Sequence, residues 1–116
     1  PVVIKNSTRL ERQFESRLTY KGITATANGF YGPQGRVLRL PLQDAALNSK
    51  INTFNFNGQY ITNLEMETSA IYGLAKLLGH HAISLNAIIA NRALGIFSEN
   101  PDKTIKNLIT YTLDRL

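Results

Sequence analysis

Two short runs of this sequence carry side chains suited to holding a small polar ligand. In Phe30-Tyr31-Gly32-Pro33-Gln34-Gly35-Arg36 an aromatic ring, a primary amide and a guanidinium fall within seven residues, and glycine at this density lets backbone come close to a bound molecule. An amide sets a donor beside an acceptor, the complement of a ring N–H next to a carbonyl. An arginine donates to a carbonyl and tolerates negative charge growing there. Phe30 offers a face for stacking. A plainer reading stays open, with Gln34 and Arg36 as exposed turn residues and Phe30 in the core.

The second run is Asn63-Leu64-Glu65-Met66-Glu67-Thr68. Residues two apart on a helix point away from each other, so Glu65 and Glu67 do not form a facing acid pair there. Thr62 and Glu65 have capping-box spacing, which makes Glu65 a candidate helix-start cap. Glu67 in a first helical turn suits the helix dipole, and its two oxygens also match a vicinal diol such as ribose. Met66 fits either a core or the face of a sugar ring. A third candidate, Arg92, follows an apolar run and is either a rim arginine at a strand end or a surface one. His80 and His81 read as structural. No metal site is expected, because no carboxylate or further histidine lies at ligand spacing.

The elements that must position these residues alternate in type. Val2–Ile4 reads as a short buried strand. Thr8 and Glu11 then have capping-box spacing, and Leu10, Phe14 and Leu18 recur at helical intervals. Gly22–Ala27 is a predicted strand leading straight into the glycine loop. Asp44 caps a short helix through Lys50. Phe54 and Phe56 alternate before Asn57-Gly58, a tight hairpin turn followed by an extended segment through Ile61. Met66, Ala70, Leu74 and Leu77 share a helical face ended by Gly79, and Ala82–Ala90 suits a strand buried on both faces. Asn100 and Pro101 open a last helix with a stripe at Ile105, Leu108, Ile109, Thr112, Leu113 and Leu116. This order favours an α/β sandwich, with chemistry in loops at strand ends.

With 116 residues, 43% hydrophobic and 18% charged, the chain is expected to form one globular unit, with no internal boundary or repeat. It contains no cysteine, which rules out disulfides, thiolate metal sites and a cysteine nucleophile. The net charge of +5 is scattered, so no nucleic-acid partner is expected. No apolar run approaches the roughly 20 residues a membrane span needs, and the first residues lack a leader pattern. A soluble, non-secreted, cytoplasmic protein is the expectation.

Taken in order, these residues resemble the uridine phosphorylases of the nucleoside phosphorylase family. Gly22-Ile23-Thr24-Ala25 precedes a Phe-Tyr loop with Gln34 and Arg36. Asn63-Leu64-Glu65-Met66-Glu67-Thr68-Ser69-Ala70 resembles the family's Asn-x-Glu-Met-Glu signature, and Ala87-Ile88-Ile89-Ala90-Asn91-Arg92 its following strand and Asn-Arg turn. The likeness runs from about Lys21 to the C-terminus and more loosely upstream.

The resemblance implies the C-terminal portion of a three-layer α/β/α sandwich, residues 1–116 forming one unit without the N-terminal half. It implies phosphate-dependent cleavage of uridine to uracil and ribose 1-phosphate. Gln34 and Arg36 would hold the uracil edge and carry catalysis by stabilising the departing base, and Phe30 would contact the nucleoside. Met66 and Glu67 would hold ribose, Glu65 would support them, and Arg92 would act on the uracil carbonyl indirectly. Inorganic phosphate is the co-substrate, no cofactor is implied, and a homo-oligomer is. Purine-cleaving relatives carry an aspartate after the strand, where this sequence has Asn91-Arg92. Two departures stand out. Family members are about twice as long, with a phosphate-binding glycine loop and arginines in the N-terminal half, so this chain alone is expected to be inactive. The join at Leu18–Tyr20 is also shorter than the family's. A purine-preferring or hydrolytic enzyme of the same fold, or a non-catalytic nucleoside-binding or subunit-interaction fragment, are the competing expectations.

Overall fold

The computed structural model describes residues 1–116. Helix α1 spans Thr8–Phe14 and strand β1 Ile23–Thr26; a single 3-10 turn at Gly32–Gln34 lies in the glycine loop. Helix α2 (Leu47–Thr53), strands β2 (Asn55–Phe56) and β3 (Gln59–Glu65) and helix α3 (Thr68–Leu77) follow. Strands β4 (Ala90–Asn91) and β5 (Ile96–Phe97) precede helix α4 (Pro101–Leu113). One sheet has the order β1-β3-β2, and β4 pairs only with β5. The mixed content is an α/β arrangement.

The central ladder is β1 against β3, parallel, with Thr26 opposite Glu65. Threonines two apart on a strand share a face, and here both reach across: Thr24 Oγ1 donates to Asn63 Oδ1 at 2.8 Å and Thr26 Oγ1 to Glu65 Oε1 at 2.5 Å. β2 joins β3 through Asn57-Gly58, whose φ values of 53° and 80° are those a two-residue hairpin turn demands.

Several boundaries depart from the sequence reading. The first cap is Ser7, whose hydroxyl accepts from Leu10 N–H at 3.3 Å, so Thr8 is already helical. α1 stops at Phe14, short of Leu18, because Ser16 and Thr19 bind nearby backbone instead: Ser16 N–H donates to Thr19 Oγ1 at 3.0 Å and Leu18 N–H to Ser16 Oγ at 3.1 Å. Asp44 organises the turn before α2, accepting from Ala46 N–H at 3.0 Å and pairing with Lys50 at 2.6 Å. β3 runs on to Glu65 because β1 pairs with it that far, so Thr62 is a strand residue and Met66 precedes α3. The β4–β5 hairpin was not foreseen; Gly95, at φ 63°, was its local signal. α4 begins as expected, with Asn100 Oδ1 accepting from Lys103 N–H at 3.0 Å and Pro101 at the first position.

Two expected strands are absent. Val2–Ile4 and most of Ala82–Ala90 belong to no ladder. Ser7 N–H donates to Ala82 O at 2.9 Å, but 83–88 make no backbone-to-backbone bond, and Ser84 N–H turns to the Tyr72 hydroxyl at 2.7 Å. Apolar sequence alone does not make a strand; it needs a neighbour offering the complementary row of N–H and C=O groups.

The apolar surface is correspondingly open. Only four of 116 residues are buried, Phe14 being the one large apolar side chain among them. The accessible surface is 9171 Å², against roughly 6,300 Å² for a compact monomer of this mass. The radius of gyration is 15.4 Å, against about 13.4 Å. A cleft of about 1160 Å³ separates β1 from residues 1–6 and 83–88, and another of about 560 Å³ lies between Phe14, Leu85 and α4. Tyr111 of α4 ties that side together by donating to Phe14 O and lying 2.9 Å from Ser16 Oγ. No helix is long and apolar enough to cross a membrane.

Candidate functional site

Parallel pairing sends β1 and β3 out of the sheet at the same end. β1 leads into the glycine loop, and β3 into Met66 and Glu67. The ladder is sealed there by Ala27 N–H, which donates to Glu65 O at 2.9 Å. The two runs picked out in the sequence therefore follow strands that leave the sheet at the same end.

Within the loop, Gly35 adopts φ 77°, and a side chain there would collide with Asn48, whose amide donates to Gly35 O at 2.9 Å. Glycine is required on both counts. The turn brings Arg36 back over its own loop. Arg36 Nη1 donates to Gln34 Oε1 at 2.7 Å and to Phe30 O, while the guanidinium carbon sits 3.7 Å from the Phe30 ring centroid. Phe30 meets Tyr31 edge-on at 5.2 Å. Arg92 arrives from β4, 58 positions away, and donates to Gln34 O at 2.7 Å. Burial, and then the nearby charge of Arg36, push the Arg92 pKa down from the usual arginine range.

Gln34 is 3% exposed, so it is no solvated turn residue, and Phe30 at 52% is no core residue. Phe30, Gln34, Arg36 and Arg92 form one connected group. Neither of the two clefts described above is lined by any of them, or by Met66 or Glu67.

On the neighbouring strand end the two acids have different tasks. Glu65 Oε2 accepts from Glu67 N–H at 2.7 Å and Thr68 N–H at 2.6 Å, closing the start of α3. Burial opposes its ionisation, but the Thr26 hydroxyl, those two amides and the Thr68 hydroxyl outweigh it and hold the carboxyl below the usual glutamate range. Glu65 is thus a cap, acting from the end of a strand and not from a helical turn. Glu67 is exposed, and its carboxylate accepts from Met66 N–H at 3.2 Å. Met66 is 42% exposed. A free carboxylate beside an exposed thioether can take a diol and the face of its ring.

Two supporting residues escaped the sequence reading. Thr26 donates to Glu65 and accepts from Ser69 N–H at 3.0 Å, linking β1, β3 and α3. Asn48 fixes the loop from α2. Alternation of Thr24 and Thr26 in a short strand was the available sign of the first; nothing local marked the second. His81 Nδ1 lies 2.8 Å from Ser7 Oγ, a structural contact.

The family model described as the phosphorylase superfamily matches residues 4–110. The chain belongs to that superfamily. No curated protein and no solved structure matches it at a significant level. Membership carries the α/β fold and a nucleoside phosphorylase type of glycosyl transfer.

Proposed function

We propose that this chain supplies the base and ribose sites of a uridine phosphorylase. The single observation that carries the reading is the joining of Gln34, Arg36, Phe30 and Arg92 into one group, on the strand whose parallel partner ends in Glu65-Met66-Glu67. Superfamily membership supports the reaction class.

In the proposed reaction inorganic phosphate attacks the anomeric carbon of ribose. The bond to the base nitrogen breaks, and its electron pair leaves with uracil. Arg36 and Gln34 donate to the uracil edge and stabilise that charge as it forms, so they act most strongly on the transition state. Glu67 and Met66 hold the ribose, which becomes cationic in character. Arg92 acts through the Gln34 carbonyl and keeps the loop in place. Phosphate binding, the remaining layer of an α/β/α sandwich, and a homo-oligomeric, cytoplasmic protein with no cofactor belong to the same proposal. The uncovered apolar surface is consistent with further polypeptide packing on this chain.

The test is release of free base by the intact protein. Uracil set free from uridine only when phosphate is present is the expected result. Equal release without phosphate would make it a hydrolase, cleavage of inosine alone a purine enzyme, and uridine binding without turnover a non-catalytic module.

A further inference from the structure

Gly35 stands between Gln34 and Arg36, and both peptide groups that flank it are held at both ends. In the Gln34–Gly35 peptide the N–H donates to Gly32 O at 2.8 Å and the carbonyl accepts from Arg92 at 2.7 Å. In the Gly35–Arg36 peptide the N–H donates to Tyr31 O at 2.9 Å and the carbonyl accepts from the Asn48 amide at 2.9 Å. The two N–H bonds stay inside the turn. The two carbonyl bonds come from outside it, one from the end of β4 and one from α2, and they fix where the turn lies.

A glycine at φ 77° and ψ 16° has no side chain to restrict its rotation, so the plane of the peptide after it depends on those partners. That plane sets the direction in which the Arg36 side chain leaves the backbone. Asn48 belongs to the opposite half of the site. α2 runs through Phe54 into β2, which pairs with β3, and α2 also packs against β3. The bond from Asn48 to Gly35 O therefore ties the loop that follows β1 to the strand that ends in Glu65 and leads into Met66 and Glu67. We infer that Asn48 is a positioning residue for catalysis: by holding the Gly35 carbonyl it sets the course of Arg36 relative to the Glu65-Met66-Glu67 end of β3. This rests on the proposed phosphorolysis, in which Arg36 meets charge on the departing base, and adds to it a residue of α2 that neither sequence run contains. A donor is required at position 48, because the carbonyl oxygen only accepts. Asn48 is exposed, so water can satisfy Gly35 O when the amide is removed, and the loss falls on the order of the loop more than on the stability of the fold.

The test compares Asn48→Ala and Asn48→Asp in the intact protein. The second keeps the size and shape of the side chain and suits the first turn of a helix, but it turns an acceptor towards Gly35 O. Hydrogen exchange at the Arg36 amide reads the peptide directly, and it should be about fivefold faster in Asn48→Ala and faster again in Asn48→Asp. The kcat for uridine should fall about fivefold in Asn48→Ala and further in Asn48→Asp, with KM within about twofold of the parent, because Arg36 acts on the transition state more than on bound uridine. Urea-derived stability should not follow that order, Asn48→Asp being at least as stable as Asn48→Ala. Rates that track stability, or an Arg36 amide that exchanges as it does in the parent, overturn the proposal. Faster exchange with an unchanged kcat overturns it too, leaving a clamp on the loop with no part in catalysis. A parent protein that turns over no uridine fails at the reading of function before any variant is compared, and removes the catalytic role with it.

Discussion

The two flanks of β1 make opposite use of similar material. On one side β1 and β3 are both extended and rich in β-branched residues, and their polar groups meet: backbone ladder, Thr24 with Asn63, Thr26 with Glu65. On the other side residues 1–6 and 83–88 are just as apolar, belong to no strand, and line an open cleft. The difference is not hydrophobicity, since Val2, Val3 and Ile88 are as apolar as anything in β1 or β3 and are all exposed. It is whether a complementary backbone lies alongside. The backbone ladder runs where β1 and β3 lie side by side, and on the open flank single bonds such as Ser84 N–H to the Tyr72 hydroxyl take its place.

Three substitutions probe that contrast. The largest effect belongs to Arg36→Ala in the intact protein, where losing a donor to developing charge should cost about 2 to 4 kcal/mol in kcat/KM for uridine. An unaltered rate would separate the satisfied edge from catalysis. Next is Glu65→Ala, which removes the acceptor shared by Thr26, Glu67 and Thr68 and should lower the urea-derived stability by about 1 to 2 kcal/mol, allowing for partial exposure. Because the folded-state carboxyl is held below its unfolded value, this contribution is complete above about pH 4.3. It is lost as pH falls through the lower folded value, so the gap between parent and variant should close on acidification. A gap that widens would contradict the hydrogen-bond account. The smallest effect is expected on the open flank: Val2→Ser, at a side chain 87% exposed, should change the stability of the chain by no more than about 0.5 kcal/mol. A larger loss would mean that flank is packed after all.

What the sequence made legible follows the same division. The Asn57-Gly58 turn, the Asn100-Pro101 helix start and the strand before the glycine loop depend on residues close in the chain, and all three are where the pattern places them. Arg92 reads from the sequence as either a rim arginine or a surface one, and its partner, the carbonyl of Gln34, lies 58 positions earlier, where no local pattern announces it. Glu65 was weighed as a helix cap and is one, though from the last residue of a strand; only the pairing of Thr26 with Glu65 sets that boundary. Ala82–Ala90 reads as a central strand because composition reports burial potential, whereas a ladder requires a partner that composition does not name.

Thr24 and Asn63, joined across the parallel ladder, stand 39 residues apart, and everything between them, glycine loop, α2 and hairpin, is the crossover. A ladder of that span returns no hydrogen bond until the whole crossover has been closed. During synthesis, then, the loop bearing Gln34 emerges well before the strand that must lie beside β1 and before the arginine that clamps its backbone. Half of this site cannot be built in advance of the other half, and a ribosome paused anywhere between Arg36 and Glu65 would hold the loop residues with no edge on which to arrange them.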